Sequence, residues 1–337
     1  MISMVARIPF ALALVSLALA QSDKPSKPIK VQVNEVIVPV TVTDDKGRFV
    51  SNLEAKDFRI FDQGKEQRLE FFSRDRNQPV VVGFLIDMSN NTRVHWKNYQ
   101  DAAIELVLNL LPGDKKFSGY LISYANEPEL QVNTTTESDK LVEKLSKMKP
   151  GGGSALYDAI YMACMRRQVV EGEPYDPRRV LIVIGDGHDN ASKKSLDEVV
   201  EIAQRNMVTI YGMSTVSFGF TSEGDENLLR LTSETGGRVV YPLNDLYSDV
   251  DGYLSHPSDD GNYALTVGMG AYSSEVSAGI FHAIAAIAGE VTTQYILRYV
   301  PDTGPASTKV FRNIKIVVPD LPLAKVRFRK GYYPFAP

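Results

Sequence analysis

Two runs constrain this chain more than anything else in it. "VVVGFLID", from Val80 to Asp87, and "RRVLIVIGDG", from Arg178 to Gly187, are apolar without interruption until each reaches an aspartate. A strand with one wet face alternates apolar and polar residues. These do not, so each is expected to lie in a sheet covered on both sides. The segments around them carry helical periodicity: 94–111, with Tyr99, Ala102, Ala103, Leu106, Val107 and Leu110 on one face, then 138–148, 154–170, 195–207 and 225–237. Further strand-like runs stand at 117–125, 208–216 and 238–242. Alternation of this kind predicts an α/β fold with a doubly wound, mostly parallel sheet.

The flanks read differently. In "NEVIVPVTVTDDKGRFV", Val36, Val38, Val40 and Val42 alternate with other residues before a turn at Asp45-Lys46-Gly47. "DFRIFDQGKEQRLEFF" offers two strands around Gly64, and the chain ends in "TTQYILRYV", "KVFRNIKIVV" and "KVRFRKGYY". Neither group is large enough to close a sandwich, but together they supply roughly seven strands, a normal sandwich number. The expectation is a small β-sandwich built from residues 31–78 and 292–337, with the α/β domain, 79–291, inserted between its halves. Within that domain, 250–272 loses all periodicity and is rich in Asp, Gly, Ser and Tyr. It reads as a surface insertion, placed to shape partner specificity.

Residues 1–20 form a separate object. Arg7 precedes an apolar stretch from Ile8 to Ala20 that ends in Ala18-Leu19-Ala20. That is a secretory signal pattern, cleaved after Ala20, and the stretch is too short to span a bilayer comfortably. The polar, Pro-rich residues 21–30 read as a linker. A secreted or periplasmic protein with no stable membrane span follows. Cys164 is the single cysteine; it cannot form an intramolecular disulfide, and it shares a helix face with Leu156, Ile160 and Ala163 as a buried structural thiol. A net charge of −4 without any Lys/Arg block gives no footprint for a nucleic-acid partner.

In an open α/β sheet, ligands bind beyond the carboxyl ends of the strands. There the sequence places Asp87, Ser89 and Asn91 after the first apolar strand, Ser154 after "KPGGG", and Asp186 after the second, followed by Gly187, His188 and Asp189. Two carboxylates, two hydroxyls and an amide oxygen are hard ligands suited to Mg²⁺, with Mn²⁺ or Ca²⁺ as alternatives. The neutral ligands leave such an ion short of negative charge, which favours a protein partner offering an Asp or Glu carboxylate.

A strand ending in D-x-S-x-S, a Gly-rich turn with a helix-opening Thr, and a strand ending in D-G, in that order, resemble a von Willebrand factor A-type domain and its metal-ion-dependent adhesion site. "GGGSALYDAI", "RRVLIVIGDGHDN", "SETGGRVVYP" and both β flanks are similar to an exported bacterial family related to such domains. The resemblance covers nearly all of the chain after the leader, except the insertion. It implies a protein-interaction or adhesion module, not an enzyme, with the ion on the five residues just named. Two positions depart from the pattern: Asn91 stands where the family has Ser, and Ser154 where it has Thr.

Two other readings stay open. Asn91 and Thr92 could simply cap the helix that follows and Ser154 the next one, leaving a metal-independent scaffold with a vestigial site. A metal-dependent hydrolase is the third, with no base identified beside the site. G-x-S-x-G and P-loop patterns are absent, and "VGMGAY", with Gly268 and Gly270, lacks the third glycine of a dinucleotide site. His95 and His188 read as exposed, and Asp158 and Asp189 as neighbours of the site or surface residues.

Overall fold

A computed structural model describes residues 35–74, 79–93, 96–113, 116–165, 177–215, 223–242, 269–301 and 309–334. The leader and linker, His95 and most of the 250–272 stretch lie outside them. The strands are β1 (Val36–Thr43), β2 (Arg59–Asp62), β3 (Lys65–Gln67), β4 (Phe71–Ser73), β5 (Val80–Asp87), β6 (Phe117–Tyr124), β7 (Pro128–Thr135), β8 (Arg178–Gly185), β9 (Val208–Ser214), β10 (Val239–Val240), β11 (Tyr295–Tyr299), β12 (Arg312–Val317), β13 (Lys325–Arg327) and β14 (Gly331–Tyr332). The helices are α1 (Trp96–Leu110), α2 (Ser138–Ser146), α3 (Leu156–Met165), α4 (Leu196–Arg205), α5 (Glu223–Thr235) and α6 (Met269–Thr293).

Six strands form the central sheet in the order β10-β9-β8-β5-β6-β7. β5 pairs in parallel with both β6 and β8, and every one of its residues is buried. Successive side chains of a strand point to opposite faces, and β5 divides accordingly. Val80, Val82, Phe84 and Ile86 pack with α1, α2 and α6, whereas Val81 and Leu85 pack with α3, α4 and α5. Gly83 fits between because a side chain there would meet the Tyr120 ring at 2.5 Å and Leu181 at 2.6 Å. The strand-like runs at 117–125, 208–216 and 238–242 appear as β6, β9 and β10.

Two elements of the α/β domain differ from the sequence reading, and in the flanks "DFRIFDQGKEQRLEFF" holds three strands instead of two and "KVRFRKGYY" two instead of one. β7 was not foreseen; it pairs antiparallel with β6 at the sheet edge and is only half-buried, so it lacks the apolar run of its neighbours. α6 begins at Met269, so "MGAY" belongs to a helix and not to the insertion. No helix among the described residues is long and apolar enough to cross a membrane.

The terminal segments pair as expected. β1 lies antiparallel to β11 and β13, β11 to β4, and β12 to β2 and β14, giving two four-stranded sheets, β13-β1-β11-β4 and β14-β12-β2-β3. They enclose one core, with Val36, Val38, Val40 and Val42 facing Ile60, Ile314, Ile316 and Tyr332. Pro39 is tolerated mid-strand because β13 reaches only Thr41–Thr43, so that part of β1 is paired on one side alone. Within this core Asp62 is buried and fully used: Arg312 donates to it at 2.7 and 3.0 Å, Tyr332 at 2.9 Å and Tyr299 at 3.0 Å. Glu290 of α6, also buried, meets Arg238 beside β10 and Arg327 of β13. That ion cluster ties the central sheet to the sandwich.

Candidate metal centre

β5 has β6 on one side and β8 on the other, although β6 follows it in sequence and β8 comes two strands later. The chain therefore changes direction of winding between β5 and β8. Such a point opens a crevice at the carboxyl ends of the strands. Asp87 ends β5 and Asp186 follows β8, so the two carboxylates flank that crevice.

Three loops are bound together around them. Asn90 N–H donates to Gly152 O at 3.1 Å, and Gly151 N–H to Met88 O at 2.6 Å, joining the β5 loop to the glycine turn. Ser154 Oγ donates to His188 O at 2.8 Å, and Ser154 N–H to Asn190 Oδ1 at 2.8 Å, joining that turn to the β8 loop. Asp189 Oδ2 accepts from Tyr157 N–H at 2.8 Å at the start of α3, and Asp158 accepts from Lys193 and Lys194 N–H, both at 3.0 Å. Asp158 and Asp189 thus hold loop shape through backbone hydrogen bonds. Gly187 takes φ +78°, and a side chain there would strike Gly224 O at 2.1 Å. Only glycine lets the β8 loop turn so close to α5.

Asp87 is 1 % exposed. Its Oδ1 accepts from Ser89 N–H at 2.7 Å, while Oδ2 has no hydrogen-bond partner. Burial, reinforced by the negative charge of Asp186, pushes its carboxyl group up to about 7. The buried Ser89 hydroxyl lies near enough to temper that shift but makes no aligned hydrogen bond. Gly185 makes this burial possible, since a side chain there would stand 2.8 Å from Asp87 Cβ and 2.5 Å from the Tyr124 hydroxyl. Tyr124 was not singled out in the sequence reading. Its hydroxyl is buried without a partner, and burial together with Asp87, Asp186 and Asp189 drives its pKa well up. An apolar strand context hid it; the only signal was a tyrosine at the very end of β6.

Asp186 is 6 % exposed. Oδ1 accepts from His188 N–H at 3.0 Å, and Oδ2 accepts from Asn91 Nδ2 at 2.9 Å. His188, partly exposed, places Nδ1 3.2 Å from the same Oδ2. Asn91 thus turns its NH₂ end to Asp186. The sequence reading aims its amide oxygen at an ion, but a carboxylate only accepts, so Asp186 selects the NH₂ end. Thr92 Oγ1 donates to Ser89 O at 3.0 Å and to Asp87 O at 3.3 Å, bracing the loop.

The donor set fits a hard divalent cation. Two buried carboxylates repel one another, Asp87 Oδ2 and Ser89 Oγ lack partners, and Ser154 Oγ donates outward to His188 O and so keeps its lone pairs free. Buried polar groups are nearly always satisfied, and a cation would satisfy these together. Among the described residues no three His, Cys, Asp or Glu side chains converge to hold a metal. An ion here would thus rest on two carboxylates and neutral oxygens, a set that suits Mg²⁺ better than Zn²⁺.

The sequence profile of the von Willebrand factor type A domain matches residues 82–250. The chain belongs to the von Willebrand factor type A domain family. Its A-type domain carries the crevice just described. A search of curated proteins gives no match. Among solved structures the chain is similar to proximal thread matrix protein 1 from the mussel byssus, whose structure has a zinc-occupied MIDAS motif. The two share 15 % identity at a TM-score of 0.41, over 51 % of this chain and 43 % of that one. It is also similar to the conserved hypothetical protein BatB from Bacteroides thetaiotaomicron, at 17 % identity and a TM-score of 0.39, covering 55 % of this chain and 98 % of that one. A third is the vWF domain of the type V pili tip protein Mfa5 from Porphyromonas gingivalis, at 13 % identity and a TM-score of 0.40, covering 58 % and 96 %. The chain thus spans less than half of the mussel protein's length.

Proposed function

We propose that this protein is an exported, non-enzymatic interaction module whose A-type domain binds a divalent cation, Mg²⁺ by preference over Mn²⁺ or Ca²⁺, and through it a partner protein. Asp87, Ser89, Ser154 and Asp186 would hold the ion, with Asn91 at the rim. The observation that carries this reading is the facing pair of buried carboxylates, one of them with an unpartnered oxygen beside an unpartnered Ser89 hydroxyl. When bound, the ion would supply a Lewis-acidic position for an Asp or Glu carboxylate of the partner. The residues' own part is to stay rigid: the Gly187 turn, the Ser154–His188 bond and the Asn90–Gly152 bond hold three loops in one arrangement before any ligand arrives. Little ordering then opposes binding.

One observation favours a second reading. Asn91 Nδ2 already donates to Asp186 Oδ2, which partly neutralises the carboxylate without an ion. A metal-independent scaffold would keep this bond permanently.

Calorimetric titration of the full chain with Mg²⁺ and Mn²⁺, beside Asp87→Ala, separates the two. Saturable binding lost in the variant is expected; absence of binding in the wild type leaves the scaffold reading. Capture of a binding partner in Mg²⁺ but not in chelator tests the interaction itself. Turnover of simple esters or phosphate esters in Mg²⁺ would overturn the non-enzymatic assignment, with His188 the base to examine first.

A further inference from the structure

The other end of β8 holds a second polar site. Arg178 opens the strand and Asp186 follows its last residue, so at about 3.3 Å per residue the two lie roughly 25 Å apart. Arg178 is 9 % exposed and Arg329, between β13 and β14, is 2 % exposed. Both line a cavity of about 40 Å³ between the central sheet and the sandwich, with Pro39, Met207, Gln294 and Arg298 among its other walls.

Buried arginines are normally paired with carboxylates. These two are not. Arg178 donates from its two Nη atoms to Gln294 Oε1 and Val291 O, both at 2.8 Å, and Arg329 donates from Nη2 to Met207 O at 2.8 Å. All three acceptors are neutral. The Nε–H groups of both arginines are buried without any acceptor. No carboxylate lines the cavity among the described residues; Glu35 lies 3.7 Å from Arg298 Nη1. Burial without a counter-charge pulls both guanidinium groups down to about 10, still charged at neutral pH.

We infer that this cavity is a binding site for a small oxyanion, inorganic phosphate or a short carboxylate, held between Arg178 and Arg329. The class follows from the donors. Guanidinium groups present planar N–H forks that match the paired oxygens of a carboxylate or phosphate. A water needs about 10–15 Å³ of such space, so the cavity takes about three water-sized atoms, which suits an oxyanion and excludes a nucleotide or peptide. Bound there, the anion would link β8 of the A-type domain to the β13–β14 turn of the sandwich, independently of the metal crevice.

The test uses the full chain in a buffer free of phosphate, sulfate, carboxylate and chloride. Calorimetric titration with phosphate, acetate and chloride at constant ionic strength should show one saturable site for phosphate or acetate, and which of the two binds more tightly names the source. Arg178→Lys and Arg329→Lys keep the charge but lose the fork, and each should weaken binding at least tenfold. Arg68→Gln, which removes an exposed arginine, should leave it unchanged. No saturable binding, binding of chloride alone, or equal affinity in the two lysine variants would overturn the proposal. Should those variants fail to fold, anomalous diffraction from wild-type crystals grown in selenate decides: a selenium peak between Arg178 and Arg329 supports the site, and its absence overturns it. Glu171, Glu173 and Asp176 precede Pro177 in sequence. If their triple amide variant binds phosphate and the wild type does not, the chain supplies its own carboxylate and the inference is wrong.

Discussion

Asp87→Asn should stabilise the metal-free protein while abolishing its response to metal. The Asp87 carboxyl is pushed from 3.8 to about 7 by burial and by Asp186. A raised carboxyl pKa means that the folded state holds its proton more tightly than the unfolded state does. The contribution of this one group to stability is then most favourable below about pH 4 and falls as pH rises from there through 7, where the folded protein is forced to ionise a buried group. At about 1.4 kcal/mol per tenfold change in proton affinity, the penalty approaches roughly 4 kcal/mol by pH 8. Asparagine has the same shape and no charge to bury. In chelator at pH 8 the variant should therefore unfold at higher urea than the wild type, by up to roughly 4 kcal/mol, and the difference should vanish near pH 4. Trp96, the single tryptophan, opens α1 and packs against the core, so it reports unfolding by its fluorescence. Adding Mg²⁺ at one hundred times its dissociation constant should return about 2.7 kcal/mol to the wild type and nothing to the variant. A variant no more stable than wild type in chelator at pH 8, with parallel pH profiles, would show that Asp87 and Asp186 are not a strained, cation-ready pair.

Asn91→Ser removes the amide that now occupies Asp186 Oδ2 and restores the hydroxyl of the family pattern; divalent-metal affinity in calorimetry should rise about tenfold, the worth of one hydrogen bond to a charged group. Asp62→Ala strips the acceptor from Arg312, Tyr299 and Tyr332 together and should cost about 3–5 kcal/mol in urea unfolding, as for a broken buried ion pair; a loss under 1 kcal/mol would mean that the network is not what fastens the terminal segments. Cys164 is fully buried and its thiol is pushed up to about 12 by burial, so a thiol reagent at pH 8 should label it only after denaturant is added.

Much of this architecture is legible in the chain itself, for identifiable reasons. The unbroken apolar runs of β5 and β8 announce strands covered on both faces, and the spacing of Tyr99, Ala103, Leu106 and Leu110 announces a helix packed on one side. Periodicity is a local consequence of burial, so it survives in the linear order of residues. Asp87, Ser89 and Asp186 were also legible as candidates, because strand ends in a parallel sheet share one edge, and Ser154 because it follows a glycine turn and opens a helix. Less regular elements left no such trace. β7 lies at the edge with its outer side wet, so "PELQVNTT" carries no apolar pattern.

What only the folded chain decides is partnership. Which nitrogen or oxygen of Asn91 faces Asp186 depends on a carboxylate 95 residues away, and sequence says nothing about that orientation. Tyr124 looks like any strand tyrosine until Gly185 leaves room for it beside Asp87. Arg178 and Arg329 read as ordinary charges, 151 residues apart, until the packing of two sheets buries both with no carboxylate among the described residues of the cavity wall. Sequence determines which residues must leave water, since that follows from their own chemistry and spacing. Whether a buried charge finds a mate depends on which distant segments arrive beside it, and that is settled only when the sheets close on one another.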